Sequence, residues 1–219
     1  MGLDTPTVVK ESCSLLTIKN EHQENALVFI KFVSIFGIKM SKLIGLNFEQ
    51  LCARLSPLDL KHSFSPRQIW DFMYDRGVDQ MDSMSSLSKT DRARLNQHFT
   101  LGYPSVGSLQ TSSDGTLKWL LNYGPKSLVE TVFIPETEGS GTVCVSSQVG
   151  CSLACAFCHT GTQKLQKNLS ASEILTQIMH VMKHVSDLPR RPGIPRKIGN
   201  IVFMVTFLFL FSRDKENLS

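Results

Sequence analysis

Three cysteines crowd into eight positions: Cys151, Cys155 and Cys158, spaced C-x3-C-x2-C, in the run from Gly150 to Cys158. That spacing puts three thiolates on one loop, where they can hold a metal centre. A 4Fe–4S cluster normally takes four cysteines, so a three-cysteine loop leaves one iron open to a substrate or cofactor. Three other chemistries compete. Zinc would take the three cysteines with the adjacent His159, but structural zinc usually draws its ligands from two separated pairs, and the sequence offers no second pair. Cys155 to His159 also spells C-x-x-C-H, the attachment string of c-type haem, which requires export and leaves Cys151 without a role. A structural reading needs three cysteines to meet by chance. The iron–sulfur reading accounts for all three.

The bulk properties agree with a soluble, reduced protein. The chain has 219 residues, 42% of them hydrophobic, with mean hydropathy of −0.03, enough to bury a real core. A formal charge of +4 and a pI of about 8.7 suit RNA or another polyanion without requiring one. Six cysteines, three of them crowded together, do not form a disulfide framework and favour a metal in a reducing compartment. Residues 1–40 carry no assigned function. Asp4 and Glu11 break the pattern of a mitochondrial presequence, and the apolar stretch Ala26 to Ile38 is interrupted by Lys31 and too short to span a bilayer. A cytoplasmic protein with no membrane partner is expected, with a mitochondrial one as the alternative.

Helices and strands must hold the loop in place. From Lys42 to about Phe99 the pattern is helical. Asn47 with Gln50 three residues on resembles a capping box, with Phe48, Leu51, Cys52 and Leu55 on one face. Ser65 and Pro66 open a second helix burying Ile69, Phe72 and Met73, and Gly77 suits its stop. Ser88 with Asp91 opens a third, carrying Leu95 and Phe99. This helical accessory module, residues 41–101, carries Lys61, Arg67, Arg76, Lys89, Arg92 and Arg94. They could meet a phosphate backbone, though a solvated helix surface is the plainer expectation.

Residues 102–115 read as a linker, being rich in Ser, Gly, Pro and Thr. Strands are expected at Thr116 to Tyr123, Leu128 to Ile134 and Thr142 to Ser146, the last running into the cysteine loop. Ser170 with Glu173 caps a helix whose apolar face is Ile174, Ile178, Val181 and Val185, and Lys197 to Met204 resumes as a strand. Strand, loop, helix, strand opens a parallel α/β unit, in which ligands gather at the carboxyl ends of the strands. On its strand Glu130 shares a face with Leu128, Val132 and Ile134. A carboxylate on an apolar face should have a raised pKa, as a general base near neutrality requires. The basic run Arg190 to Lys197 is expected to be a surface loop.

Taken together, the stretch Cys144 to Cys158, the segment Asn168 to Ile174, Arg76 to Asp79 and Val129 to Pro135 resemble the radical-SAM RNA (adenosine) methyltransferases of the RlmN and Cfr type. The resemblance runs from about Ser41 to Met204. It implies an α/β fold: a partial radical-SAM (β/α) barrel over residues 116–204, preceded by the small N-terminal helical domain. It also implies methylation of adenosine carbon 2 in ribosomal and transfer RNA, with S-adenosyl-L-methionine as cofactor and an electron donor such as a flavodoxin- or ferredoxin-type protein. A sister group methylates carbon 8. By motif match Cys151, Cys155 and Cys158 ligate a 4Fe–4S cluster, and Phe157 packs near the SAM adenine, with an ordinary core position as its alternative. Cys144 resolves the covalent RNA–enzyme adduct by thiol chemistry; a buried strand cysteine is the alternative. Glu130 accepts a proton, with a surface glutamate at a strand edge as its alternative.

Past Met204 the pattern departs. The family continues into a Gly-rich, Gly-Glu-containing loop, whereas here no glycine follows Gly199. The remaining barrel strands and a second catalytic cysteine are also missing. Residues 205–219 read as an aberrant tail, from intron read-through or a truncated gene model. The expectation is a chain that assembles a cluster yet does not methylate RNA alone. The rival is a non-catalytic fragment that binds a cluster or RNA.

Overall fold

Short polar signals at the helix starts set the frame. The computed structural model describes residues 40–58, 60, 65–136, 139–153, 155 and 157–204, which fall in one compact unit. The N-terminal extension, Lys61 and the tail 205–219 lie outside the described residues. Strand β1 (Ser41–Lys42) leads to Asn47, whose side chain accepts from the Gln50 N–H at 2.8 Å while the Gln50 side chain accepts from the Asn47 N–H at 3.0 Å. This reciprocal cap satisfies two donors that a helix end leaves free, and it opens α1 (Phe48–Leu55). Helix α2 (Ser65–Tyr74) buries Ile69, Phe72 and Met73 as expected. Gly77 then turns with φ +65°, and a Cβ there would meet Leu188 Cδ1 at 2.6 Å. Helix α3 (Lys89–His98) starts at Ser88, which accepts from the Asp91 N–H at 3.0 Å; its buried Leu95 is followed by β2 (Phe99–Thr100), parallel to β1.

The basic side chains of this module are largely occupied within it. Arg67 pairs with Asp71 at 3.2 Å, and Arg76 lies over the Phe72 ring at 4.4 Å. Arg92 donates to the Asp82 carbonyl at 2.7 Å and Arg94 to the Leu58 carbonyl at 3.3 Å.

The expected linker contains a strand, β3 (Ser105–Thr111), exposed along its whole length. It is ordered by its neighbour rather than by burial, so its sequence lacks an apolar alternation. It pairs antiparallel with β4 (Leu117–Asn122), which pairs with β5 (Leu128–Pro135), which pairs with β6 (Gly141–Val145). A two-residue strand β7 (Gln148–Val149) follows at once and pairs with β8 (Lys167–Asn168). Helix α4 (Ala171–His184) then crosses to β9 (Asn200–Phe203), parallel to β6, giving the sheet order β3-β4-β5-β6-β9. The parallel unit expected around the loop is present; the remaining pairings of this sheet are antiparallel.

Two apolar cores result. One gathers Leu43, Leu51, Ile69, Met73 and Leu95 with Met179 of α4; the other packs Trp119, Leu121, Val143 and Val145 under Ile174 and Val181 of α4. Helix α4 therefore serves both. Further ties are the Lys183–Asp79 ion pair and Arg190 on Asp75 at 3.6 Å, so the basic loop folds back onto acidic partners. Among the described residues no helix is long and apolar enough to cross a membrane.

Glu173 anchors the start of α4. Burial alone would raise its carboxyl, but the Ser170 backbone N–H, the Lys167 ammonium and Lys42 outweigh it and hold the pKa below the ordinary 4.5. A folded value below the unfolded one adds stability that is complete above 4.5 and is lost as pH falls through the folded value. The stability deficit of Glu173→Gln is therefore expected to narrow on acidification below that point, as read by urea unfolding at stepped pH.

Candidate functional site

Alternation along β5 decides which side chains face the site. Val129, Thr131 and Phe133 are turned to the buried side, where α4 lies, so Leu128, Glu130, Val132 and Ile134 share the other face, as expected. That face is the open one. The Glu130 side chain is 49% exposed and pairs with Lys118 Nζ at 3.2 Å. Cys144 stands directly across from Val132 in the β5–β6 register, on Glu130's face and one diagonal step away. It is half-buried, and burial pushes its thiol above the ordinary 9.0. Iodoacetamide should therefore modify Cys144 more slowly than a free thiol at neutral pH, with a rate still climbing beyond pH 9.0. Mass-spectrometric rates across pH test this; a plateau below that pH would contradict it.

Beyond β6 the chain bends into the cysteine loop, which the β7–β8 ladder closes at its base. The Cys151 N–H donates to the Gln163 carbonyl at 3.1 Å, and the Cys158 N–H to the Cys155 carbonyl at 3.1 Å. The Leu153 N–H points at Cys151 Sγ, 3.4 Å away. All three cysteines are free and half-buried, and with Glu130 and Phe157 they line one cavity of about 710 Å³, a size that suits a small ligand. Phe157 is 94% exposed. His159 lines the same cavity.

Among the described residues no three Cys, His, Asp or Glu side chains are grouped to hold a single metal ion. The donor set, three soft thiols on one loop with an N–H already on one sulfur, fits an iron–sulfur group.

Sequence reasoning missed what holds the loop's base. Gln177 of α4, fully buried, makes four hydrogen bonds: its Oε1 accepts from Thr131 Oγ1 and the Ser146 N–H, both at 2.9 Å, and its Nε2 donates to the carbonyls of Ser146 at 2.9 Å and Glu173 at 3.1 Å. The readable signal was a polar residue within the apolar stripe of its helix.

Residues 41–101 match the family model described as the ribosomal RNA large subunit methyltransferase N-terminal domain. A protein named dual-specificity RNA methyltransferase RlmN from Rhizobium meliloti (strain 1021) is 49% identical over 150 residues, 63% of this chain and 36% of that protein. Its namesake from Rhizobium leguminosarum bv. trifolii (strain WSM2304) is 42% identical over 184 residues, 77% of this chain and 45% of that protein. The chain thus spans less than half the length of these relatives. Among solved structures, a radical SAM methyltransferase from Sphaerobacter thermophilus superposes with a TM-score of 0.65 at 30% identity, covering 74% of this chain and 47% of that one.

Proposed function

Because the chain belongs, over the stretch it shares with them, to the RlmN family of RNA methyltransferases, we propose that it forms the cluster-bearing part of an enzyme methylating adenosine carbon 2 in ribosomal and transfer RNA. The observation that carries this is the meeting of three free cysteines on one loop with Glu130 in one ligand-sized cavity. In fold, the reading makes residues 116–204 part of a (β/α) barrel and residues 41–101 an RNA-facing helical domain.

Cys151, Cys155 and Cys158 would hold a 4Fe–4S cluster, and the Leu153 N–H on the Cys151 sulfur is the kind of contact that tunes such a cluster. When bound, the cluster and S-adenosyl-L-methionine supply the one-electron chemistry needed at a carbon with no lone pair, with electrons from a flavodoxin- or ferredoxin-type donor. Phe157 offers an exposed flat face on which an adenine can stack. Glu130 accepts a proton at the cavity wall, steadied by Lys118. Cys144 keeps its proton at neutral pH and resolves the covalent RNA adduct once that proton is removed.

The rival reading is a chain that holds a cluster or binds RNA without turnover. Anaerobic reconstitution followed by iron and sulfide analysis tests the cluster. Mass spectrometry of RNA from cells lacking their own enzyme and expressing this chain tests the reaction. Iron with labile sulfide plus 2-methyladenosine supports the leading reading; 8-methyladenosine moves it to the sister group. A cluster without methylation supports the second reading, and stoichiometric zinc or haem in place of iron overturns both.

A further inference from the structure

The cysteine loop has two roots, and both are tied to one turn of α4. At the first root, Ser146 directly follows β6, two residues beyond Cys144 and five before Cys151. Its backbone N–H and carbonyl are both taken by the Gln177 amide, at 2.9 Å each. The orientation of that amide is unambiguous: the Ser146 N–H can only donate and its carbonyl can only accept, so Oε1 and Nε2 have one assignment. Ser146 Oγ in turn donates to the Glu130 carbonyl at 2.6 Å, and Thr131, next to Glu130, donates to Gln177 Oε1. A single fully buried side chain thus braces the strand of Glu130, the end of the Cys144 strand and the start of the loop.

At the second root, Lys167 of β8 reaches Glu173 Oε1 at 2.9 Å. Glu173 lies one turn before Gln177 and accepts the Gln177 Nε2–H on its carbonyl. The same carboxylate oxygen takes Lys42 of β1 at 3.4 Å. Between the roots, the Gln148 side chain bonds Asn168 at 2.8 Å and the Leu169 N–H donates to the Ser147 carbonyl at 2.8 Å.

We propose that Gln177 and Glu173 are positioning residues that clamp the two ends of the cysteine loop to α4, fixing the loop relative to Glu130 and Cys144. The proposal rests on the cluster-holding role given to the loop above. Neither residue touches the reacting atoms; each acts through the backbone or side chain it holds. A buried amide that is fully bonded specifies one arrangement, and its removal leaves the Ser146 N–H and carbonyl without partners.

The test compares Gln177→Met with Val181→Ala, a change of a fully buried residue on the same helix whose side chain has no polar atom to bond the loop roots. In the metal-free protein under native conditions, Gln177→Met is expected to raise the alkylation rates of Cys144 and Cys151 on the order of tenfold and to speed amide exchange at Ser146 and Gln148. Val181→Ala should lower the unfolding midpoint and leave those rates unchanged. After reconstitution, Gln177→Met should also alter the EPR spectrum of the reduced cluster, which Val181→Ala should not. Should Gln177→Met fail to fold, Gln177→Glu keeps the acceptor half of the clamp and is expected to give intermediate rates. Equal rates for Gln177→Met and Val181→Ala, or unchanged rates in both Gln177 variants, overturn the clamp. If the wild-type chain takes up no iron, the cluster reading fails, while the alkylation and exchange rates still decide whether the loop is clamped.

Discussion

Replacing any one of Cys151, Cys155 or Cys158 with alanine is expected to abolish stoichiometric iron–sulfur binding while the metal-free protein unfolds within about 0.5 kcal/mol of wild type. The two halves of that result have different causes. The loop's backbone is held by its own bonds, from the Cys151 N–H to Gln163 and from the Cys158 N–H to Cys155, and none of these needs a thiol. The three side chains are half-buried beside a cavity, so shortening one opens space that water can fill. Ligation has no such redundancy: with three thiolates there is no spare, and loss of one leaves a second iron without a protein ligand. Cys52, half-buried on α1 and outside the cysteine loop, serves as control, since Cys52→Ala should load normally. Cys144→Ala, which lies outside the loop, should also load normally. Iron and sulfide per chain, measured beside a denaturant titration, read both halves at once. Full loading in a Cys155→Ala protein would remove the central premise.

What could be read from the residues was what local chemistry decides. Asn47 with Gln50, Ser88 with Asp91, and Ser170 with Glu173 each mark a helix start because a cap is built from neighbours in sequence. The cysteine spacing is likewise local. Strand β3 was hidden because all its positions are exposed and its order comes from β4, a partner the residues of Ser105–Thr111 do not name. Alternation correctly grouped Glu130 with Leu128 and Ile134 but could not say which face is covered. The more apolar side turned out to be open, and the covered side carries Thr131, whose hydroxyl is satisfied by Gln177. Such a polar pair reads as surface in each segment alone; only the crossing of α4 over β5 makes it core. The cavity shared by Glu130 and the cysteines lay beyond reach for the same reason, since it depends on how β5, β6 and the loop meet.

The backbone at the loop's first turn makes the severest demand on a single residue. Gly150 has φ +75°, in the left-handed region, and a Cβ on it would stand 2.3 Å from the Lys164 carbonyl oxygen, 2.9 Å from the Lys164 carbonyl carbon and 3.2 Å from the Gln163 oxygen. All three are backbone atoms, so no side chain can swing aside. The left-handed conformation alone costs an L residue about 1–2 kcal/mol. Relief of the overlap would have to break the Cys151 N–H bond to Gln163 or the bridge from Cys151 to Lys164. Gly150→Ala is therefore expected to destabilise the metal-free protein by about 3 kcal/mol or more and to cut iron loading by roughly tenfold, because the first ligand would no longer be aimed at the other two. Gly124 supplies the matched comparison: its φ is +123°, but a Cβ there meets nothing within 4 Å. Gly124→Ala should carry only the conformational cost and load normally. A Gly150→Ala protein that matches Gly124→Ala in both stability and iron content would show that the approach of Lys164 to this turn does not set the geometry of the loop.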